Sequence, residues 1–431
     1  MKWRRLFATH NLVAASAWAS KGVIAGSQLF GIKLLLDILG PDQYGIYVVI
    51  ASLAGWIQLM DFGVGNATQN GIAEHREAAR PTDPVIASLV FLLPALLLMF
   101  GLALVTLAVT ATSAKMAFLQ IAMRPGLDVL LTSCCVFFAS AIGGISYKIW
   151  YAEQRGWWAN LFPALAALMG LSLLLAARTT GYHDFLGVLL LFHAPPALLA
   201  SVILVWRVVL VRTQVAEALR LRTWKPLVRR ASGFFAFAFS SALVLQLDYI
   251  IMSAYASIYD VVSYNIISRV FAMVTILHTA YLNALWPVCT QALAAGRRAE
   301  VESLIRRGIG VGVLLVIGFY GAFVLGRHEV ALLLVKDASV PLPAFTISLM
   351  AGYYLIRAWC DSWAIAFLSA ADLTPLWLLV PVQAAVSIGL QLAFVRSFGV
   401  NGIIIALSLS FLLTVAWLLP LLARKRILLR G

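Results

Sequence analysis

The 431 residues are 62% hydrophobic and 12% charged, and Lys and Arg exceed Asp and Glu by 14 charges. Soluble domains contain about 25% charged residues. The composition therefore excludes an ordinary soluble protein and favours a polytopic α-helical membrane protein. Because the basic residues are dispersed over many loops, no nucleic-acid partner is expected.

Apolar runs long enough to cross a membrane occur twelve times along the chain. About 20 apolar residues cross the hydrocarbon core as a helix, and strands are not expected because an open sheet edge cannot face lipid. The first run is too long for a cleavable signal peptide. The predicted helices are residues 12–36, 44–62, 85–110, 127–150, 157–177, 185–210, 233–257, 262–287, 308–326, 342–367, 374–396 and 400–422.

The loop charges predict the orientation of these helices. With both termini in the cytoplasm, 22 of the 32 Lys and Arg residues fall in cytoplasmic segments and 6 fall in outer segments. Basic residues concentrate in cytoplasmic loops of membrane proteins. The positive net charge is therefore interpreted as mainly topogenic, with attraction to anionic lipid as a second effect.

A weak internal repeat divides the chain into halves. The stretch "LGPDQYGIYVVIASL…DFGVGNA" (39–67) has an echo in "ASIYDVVSYNIISRV…HTAYLNA" (256–284), where Tyr264 corresponds to Tyr47 at a shift of 217 residues. Both halves start inside, so the repeat is parallel, as in many transporters. The expected organisation is an N-terminal six-helix lobe (1–211), a basic cytoplasmic connector (212–232) and a C-terminal six-helix lobe (233–431).

Three stretches resemble a known family. The stretch "LGPDQYGIYVVIASLAGWIQLMDFGVGNATQNGIAEHRE" (39–77) is similar to the signature of bacterial polysaccharide exporters. The stretch "GGISYKIWYAEQRGWW" (143–158) resembles the exit of that family's helix 4, and "LQLDYIIMSAYASIYDVVSYNIISRV" (245–270) resembles its helix 7–8 hairpin. These exporters are the O-antigen and exopolysaccharide repeat-unit flippases, which belong to the same superfamily as the MATE multidrug exporters.

The resemblance implies an all-α, MATE-like fold of two lobes and a transporter that is not an enzyme. Such a transporter moves undecaprenyl-diphosphate-linked oligosaccharide from the cytoplasmic to the outer leaflet by alternating access, for surface polysaccharide biosynthesis. It also implies residence in the bacterial cytoplasmic (inner) membrane and no cofactor. Polysaccharide polymerase and glycosyltransferases are the expected protein partners, beside the lipid bilayer itself.

Charged residues inside the predicted helices form the candidate site. Moving a bare charge into a low dielectric costs tens of kcal/mol by a Born estimate, so a diphosphate headgroup needs a polar path with fixed cations. A cation at a helix centre itself costs roughly 2.5–3.5 kcal/mol on insertion scales. The candidate substrate-binding cations are Lys21, Lys33, Arg269 and Arg357, and the candidate coupling or pairing acids are Asp37, Asp248 and Asp361.

Each position has a structural alternative. Lys33, expected near the outer end of helix 1, can snorkel outward and pair with Asp37 at i,i+4 spacing. Arg269 is expected near the outer end of helix 8. Asp248, on helix 7, can pair with Arg269 across the helix 7–8 hairpin or carry a coupling proton. Lys21 is expected in the inner half of helix 1.

Helix 10 offers a second pair at i,i+4 spacing. Arg357, near its middle, can pair with Asp361 as a neutralised structural unit or contact substrate directly. The surrounding aromatic residues either stack on sugar rings or pack as ordinary membrane residues. They are Tyr353, Tyr354, Trp359 and Trp363.

Other polar residues favour structural roles. Asp61 is expected to cap the segment that follows helix 2. Hydrogen bonds between helices are expected for His278, Asn283, His193, Gln28 and Gln58.

Two further functions remain as alternatives. A MATE-like drug or cation antiporter would favour an anionic cavity, whereas the in-helix charges here lean positive. A membrane polymerase or ligase would need a sizeable external loop, but the longest outer connections, 111–126 and 327–341, are about 16 residues, and no catalytic constellation is evident.

Overall fold

The structure is a computed structural model of the single chain and describes residues 2–113, 117–327, 329, 341–370, 372 and 374–428. All regular secondary structure in the described residues is helical, and these residues include no strand. The expected outer connections 111–126 and 327–341 lie partly outside the described residues.

Two compact units divide the chain, Met1–Phe239 and Ser240–Gly431. Unit 1 contains α1 (Lys2–Ile57), α2 (Val64–Glu77), α3 (Asp83–Ala87), α4 (Leu89–Ser113), α5 (Ala117–Ala122), α6 (Leu127–Gly143), α7 (Ile145–Ala152), α8 (Gly156–Thr180), α9 (Phe185–Leu210), α10 (Val215–Leu221) and most of α11 (Trp224–Leu245). Unit 2 contains the end of α11, α12 (Asp248–Tyr255), α13 (Ile258–Ala294), α14 (Arg298–Leu325), α15 (Ala344–Ser369), α16 (Thr374–Leu413) and α17 (Val415–Ala423).

The division between units falls inside α11, and residues 212–232 lie within unit 1. In that segment the hydroxyl groups of Thr223 and Ser88 are 2.5 Å apart, and Thr223 also donates to the carbonyl oxygen of Pro84 at 3.1 Å. The segment thus packs against α3. The assignment of 1–211, 212–232 and 233–431 as lobe, cytoplasmic connector and lobe stays a prediction.

Two long helices are broken by a glycine of positive φ. In α1, Gly40 has φ 73° and ψ 166°, and Pro41 follows it at the start of the second arm. In α16, Gly399 has φ 54°. Glycine adopts this region without a steric penalty, and proline is suited to a helix start because the first N–H has no helical partner. The expected turn between helices 1 and 2 and the gap at 397–399 are both confirmed.

In the described part of the chain, nine helical stretches are long and apolar enough to cross a membrane. Two of these stretches, Ala19–Asp61 and Thr374–Leu428, contain the glycine breaks and have the length for two crossings each. Helix α15 adds a further 26-residue helix. The predicted all-α fold with about twelve membrane helices is confirmed.

Several helices extend beyond the predicted apolar runs. Helix α1 begins at Lys2, before the predicted start at residue 12, and α13 runs past the predicted 262–287 at both ends. Hydropathy detects only the part of a helix that matches the hydrocarbon core. Polar extensions continue the same hydrogen-bonding ladder without contributing to that signal.

Arginines of the predicted cytoplasmic segments join helix ends within each unit. In unit 1, Arg230 donates to both carboxylate oxygens of Glu74 at 2.8 Å, and Arg207 pairs with Glu153. In unit 2, Arg424 contacts Glu302 at 3.1 Å, and Arg306 contacts the same oxygen at 2.9 Å. Apart from the part-buried Arg207–Glu153 pair, these pairs are more exposed and contribute about 0–1 kcal/mol each, so they align helix ends more than they stabilise the fold.

A tight turn ends the second arm of α1 and begins α2. Asp61 accepts hydrogen bonds from the backbone N–H groups of Gly63 at 2.8 Å and Gly65 at 3.3 Å. Its carboxylate also pairs with Lys148 at 3.1 Å. The expected capping role of Asp61 is confirmed. Gly63 has φ 76°, and a Cβ there would lie 2.4 Å from the carbonyl oxygen of Ala231.

This geometry predicts that Gly63→Ala destabilises the protein by about 1–3 kcal/mol, because the new methyl group adds backbone strain and a clash with α11. The measurement is thermal unfolding in detergent together with the protein level in membranes. The matched control is Gly101→Ala in α4, where a Cβ meets nothing within 4 Å. Equal stability of the two variants would contradict the close approach.

Candidate functional site

Unit 1 contributes two part-buried lysines on the first arm of α1, Lys21 and Lys33. Twelve residues at 1.5 Å each separate them by about 18 Å along the helix axis. Among the described residues, neither lysine has an ion-pair partner. The two lysines therefore occupy different positions along α1.

The acid expected to pair with Lys33 pairs elsewhere. The carboxylate of Asp37 lies 2.9 Å from the guanidinium of Arg178 at the end of α8. The Asp37 side chain is 3% exposed and that of Arg178 is 38% exposed. The expected Lys33–Asp37 pair is thus wrong, because α8 packs along α1 and brings the guanidinium of Arg178 to the acid.

Unit 2 contributes two arginines inside long helices. Arg357 follows the first residue of α15 by 13 residues, as expected. Arg269 is the twelfth of the 37 residues of α13, which begins four residues before the predicted helix, and its place near the outer end stays a prediction. Arg269 is exposed and acts electrostatically on Tyr249 and Tyr354.

The expected pair on helix 10 is confirmed. The Nε of Arg357 lies 3.6 Å from the Asp361 carboxylate, with side-chain exposures of 24% and 37%. The guanidinium also lies 5.9 Å from the centre of the Tyr354 ring, within range of a cation–π interaction. The distance of 3.6 Å exceeds that of a charge-assisted hydrogen bond, so the pair leaves the arginine able to bind another acceptor.

Asp248 lies where helix 7 is broken. Helix α11 ends at Leu245 and α12 begins at Asp248, so the backbone is interrupted inside the membrane stretch Trp224–Tyr255. The buried carboxylate accepts hydrogen bonds from the Tyr264 hydroxyl and, at 2.9 Å, from the backbone N–H of Tyr249. Discontinuous helices often form binding sites in transporters. The roles of Asp248 in coupling or in pairing with Arg269 stay predictions.

Polar contacts continue from Asp248 along α13. The Tyr249 hydroxyl accepts a hydrogen bond from the Asn265 amide at 2.9 Å and lies 3.4 Å from the Ser268 hydroxyl. Aromatic packing links this group to α15, since the Tyr354 ring stacks on Phe271 at 5.5 Å. The result is a polar and aromatic layer within the membrane part of unit 2.

The four aromatic residues of helix 10 contact protein. Tyr353 and Tyr354 are buried and meet edge to face at 5.2 Å. Trp359 donates its indole N–H to the carbonyl oxygen of Ala416 at 2.7 Å, and Trp363 is 2% exposed. These contacts favour packing over sugar stacking for the three buried residues, Tyr353, Tyr354 and Trp363.

Two histidines link helices, as expected. The Nε2 atom of His278 lies 3.1 Å from the carbonyl oxygen of Gly308 on α14. In unit 1, the Tyr47 hydroxyl and the Nε2 atom of His193 are 2.8 Å apart.

Sequence reasoning missed the partners Arg178, Tyr264 and Ser362. Each meets its acid or histidine across a helix interface, and no spacing within one helix reveals such a contact. It also missed a buried polar face of α16, where Gln391 donates to the Ser387 hydroxyl at 2.9 Å.

The candidate residues are charged side chains inside long helices. The described residues hold no group of three or more potential metal ligands. The acids contact Arg178, Arg357 or Tyr264.

Solved structures of transporters share this fold. A MATE family multidrug resistance transporter in an inward-facing conformation aligns with TM-score 0.70 and 14% identity, covering 93% of this chain and 94% of that one. The lipid II flippase MurJ in an inward closed conformation aligns with TM-score 0.67 and 11% identity, covering 96% and 87%. The protein is therefore a polytopic membrane protein of the MATE-like fold.

Sequence comparisons are more specific. A family profile described as polysaccharide biosynthesis protein matches residues 15–293. A putative O-antigen export protein of Yersinia pseudotuberculosis is 33% identical over 418 residues, covering 96% of this chain and 95% of that protein. A putative O-antigen transporter of Salmonella typhimurium is 33% identical over 420 residues, covering 96% of each. The chain belongs to the polysaccharide biosynthesis protein family.

The Asp37–Arg178 contact predicts a double-mutant result. Arg178→Gln should lower the free energy of unfolding by about 1–3 kcal/mol, because it removes the charged donor from a buried carboxylate. Adding Asp37→Asn should restore much of the loss. Unfolding in detergent measures all four proteins of the cycle. Additive losses in the double variant would show that the two side chains do not interact.

Proposed function

We propose that this protein flips undecaprenyl-diphosphate-linked oligosaccharide from the cytoplasmic to the outer leaflet for surface polysaccharide synthesis. One observation carries the proposal: this member of the polysaccharide biosynthesis family has Lys21, Lys33 and Arg269 inside helical stretches that can cross a membrane, and Arg357 inside the 26-residue helix α15. The relatives named as O-antigen exporters and the shared fold with a lipid II flippase support this substrate class.

A diphosphate crossing the bilayer needs compensating charge at every depth. Hydrogen bonds to charged groups are worth about 1.5–3 kcal/mol each, and fixed cations avoid the Born cost of a bare anion. In unit 1, Lys21 and Lys33 stand about 18 Å apart along α1. In unit 2, Arg269 and Arg357 lie inside the long helices α13 and α15. Within unit 1, the different positions of the two lysines along α1 suit successive contacts with one headgroup during alternating access.

The environment of the acids argues against a drug or cation antiporter. Asp37 and Asp361 pair with arginines, and Asp248 accepts a hydrogen bond from Tyr264. A cationic drug would have to displace those donors, whereas an anionic headgroup meets lysines that have no ion pair among the described residues. The positive balance therefore favours the flippase.

The protein works without chemical catalysis in this proposal, in the bacterial cytoplasmic (inner) membrane with both termini in the cytoplasm. Its protein partners are the glycosyltransferases and the polymerase that make and use the lipid-linked unit. The support for the orientation is the excess of basic residues in alternate loops.

Lys21→Ala and Arg269→Ala are each expected to reduce surface polysaccharide export roughly 10–150-fold if the lost contact acts at the rate-limiting barrier. Lys21→Arg should retain substantial activity because charge matters more than geometry there. Arg269→Lys should lose more if its guanidinium grips phosphate through two donors. The assay is polysaccharide at the surface of a flippase-null strain, with protein level measured in membranes.

The matched control is Arg220→Ala, which removes an exposed cation of α10 outside the membrane stretches and should export normally. Normal export by the Lys21→Ala, Arg269→Ala double variant would refute the series of cations, although the flippase proposal would remain.

The orientation can be measured by cysteine labelling. Gln43 and Thr213 are both exposed, one after the Gly40 turn and the other before α10. A membrane-impermeant maleimide should label Gln43→Cys but not Thr213→Cys in intact cells, and both after lysis. The parent protein with its own cysteines gives the background. The reverse labelling pattern would overturn the proposed orientation.

A further inference from the structure

An apolar groove opens on the surface of unit 2. It has a volume of about 690 Å³ and lies between α15 and the later part of the membrane stretch Thr374–Leu428. Trp417 and Leu421 on its wall are 52% and 55% exposed. The lining is apolar and includes Ile356, Trp359, Leu412, Ala416, Trp417 and Leu421.

A break in the backbone and an indole hydrogen bond shape this groove. Helix α16 ends at Leu413 and α17 begins at Val415, so the backbone is interrupted between the groove residues Leu412 and Ala416. Trp359 donates its indole N–H to the carbonyl oxygen of Ala416 at 2.7 Å. Because that donor is satisfied, the indole presents an apolar wall, and the groove suits a hydrocarbon occupant.

Both walls of the groove lead to one arginine. Arg424 follows the groove residue Pro420 by one helical turn. Its guanidinium lies 5.7 Å from the centre of the Trp363 ring, within range of a cation–π interaction. The Trp363 ring lies 6.0 Å from that of Trp359 on the opposite wall. One end of the apolar groove is therefore cationic.

Positive charge exceeds negative charge at this end. Arg424 and Arg306 share one carboxylate, that of Glu302, at 3.1 Å and 2.9 Å. Lys425, in the short helix Arg424–Leu428, is exposed and has no ion pair among the described residues. An anionic group is therefore favoured beside the arginine and the lysine.

We propose that an anionic phospholipid binds here, with an acyl chain in the groove and its phosphate beside Arg424 and Lys425. From Leu412 to Leu421 the groove follows the chain for about 14 Å, which is about half of a hydrocarbon core of about 30 Å. That length suits the acyl chain of a lipid in one leaflet, whereas an undecaprenyl chain is much longer than the groove. The bound chain covers the helix break and holds α15 against α17. This inference does not depend on the proposed function.

The test measures, by native mass spectrometry, the affinity of the full-length protein in detergent for phosphatidylglycerol and phosphatidylcholine with identical acyl chains. One basic residue near a membrane surface changes the affinity for anionic lipid about fivefold. The wild type should therefore bind phosphatidylglycerol about fivefold or more tightly than phosphatidylcholine. Lys425→Ala should lose about fivefold in affinity for phosphatidylglycerol and keep its affinity for phosphatidylcholine.

Ala416→Leu fills the groove without changing the charge. It should weaken the binding of both lipids about 5–150-fold, the range expected when methylene groups are added to an occupied space. The matched control is Ala322→Leu, the same substitution at an exposed position of α14 outside the groove. This control should bind both lipids as the wild type does.

Equal affinity of the wild type for the two lipids would overturn the proposal, and so would unchanged phosphatidylglycerol binding by Lys425→Ala or Ala416→Leu. If undecaprenyl phosphate displaces phosphatidylglycerol from the wild type and binds more weakly to Ala416→Leu, the groove holds a prenyl chain and the phospholipid assignment is wrong. If Ala416→Leu fails to fold, Trp417→Ala decides, since it removes an exposed wall of the groove. Wild-type binding of both lipids by Trp417→Ala would then overturn the proposal.

Discussion

A charge inside a bilayer must be paired, hydrogen-bonded or wet, and this requirement governs the interior of both units. Asp37 meets Arg178, Asp361 meets Arg357, and Asp248 accepts from Tyr264. Each acid contacts a partner on another helix or on another turn of its own helix. The same rule makes the two lysines of α1 conspicuous, since the described residues supply no acid for either.

Backbone breaks bring these groups into position. Gly40 lets α1 turn back after Asp37, and the interruption before Asp248 frees backbone groups at membrane depth. An interrupted helix is tolerated in a membrane where protein or a water-filled cavity surrounds it. The break at Asp248 is surrounded by tyrosines and polar residues of α13, which satisfy that condition. Breaks and charges therefore occur together because each needs the polar surroundings that the other provides.

Sequence reasoning reached the fold because long apolar runs, glycine–proline turns and loop charges are local signals. The i,i+4 pair of Arg357 and Asp361 was equally local and was predicted correctly. The Lys33–Asp37 pair had the same spacing and was wrong, since Arg178 approaches from α8. The start of α13 four residues before the predicted apolar run was missed because polar residues at a helix end give no hydropathy signal. Contacts across helix interfaces, such as those of Tyr264 and Ser362, leave no periodic trace in a single sequence.

The Arg–Glu ion pairs at the helix ends connect membrane insertion with the packing of the finished fold. Arg230 and Arg424 belong to the basic segments that the proposed orientation places in the cytoplasm, and in the finished fold they contact Glu74 and Glu302. In that orientation, a residue that helps to set which side of the membrane a loop occupies later aligns the neighbouring helix. Biogenesis and assembly therefore draw on the same side chains. Replacing one of these arginines with a neutral residue would therefore disturb both the insertion of its loop and the alignment of helix ends in the folded protein.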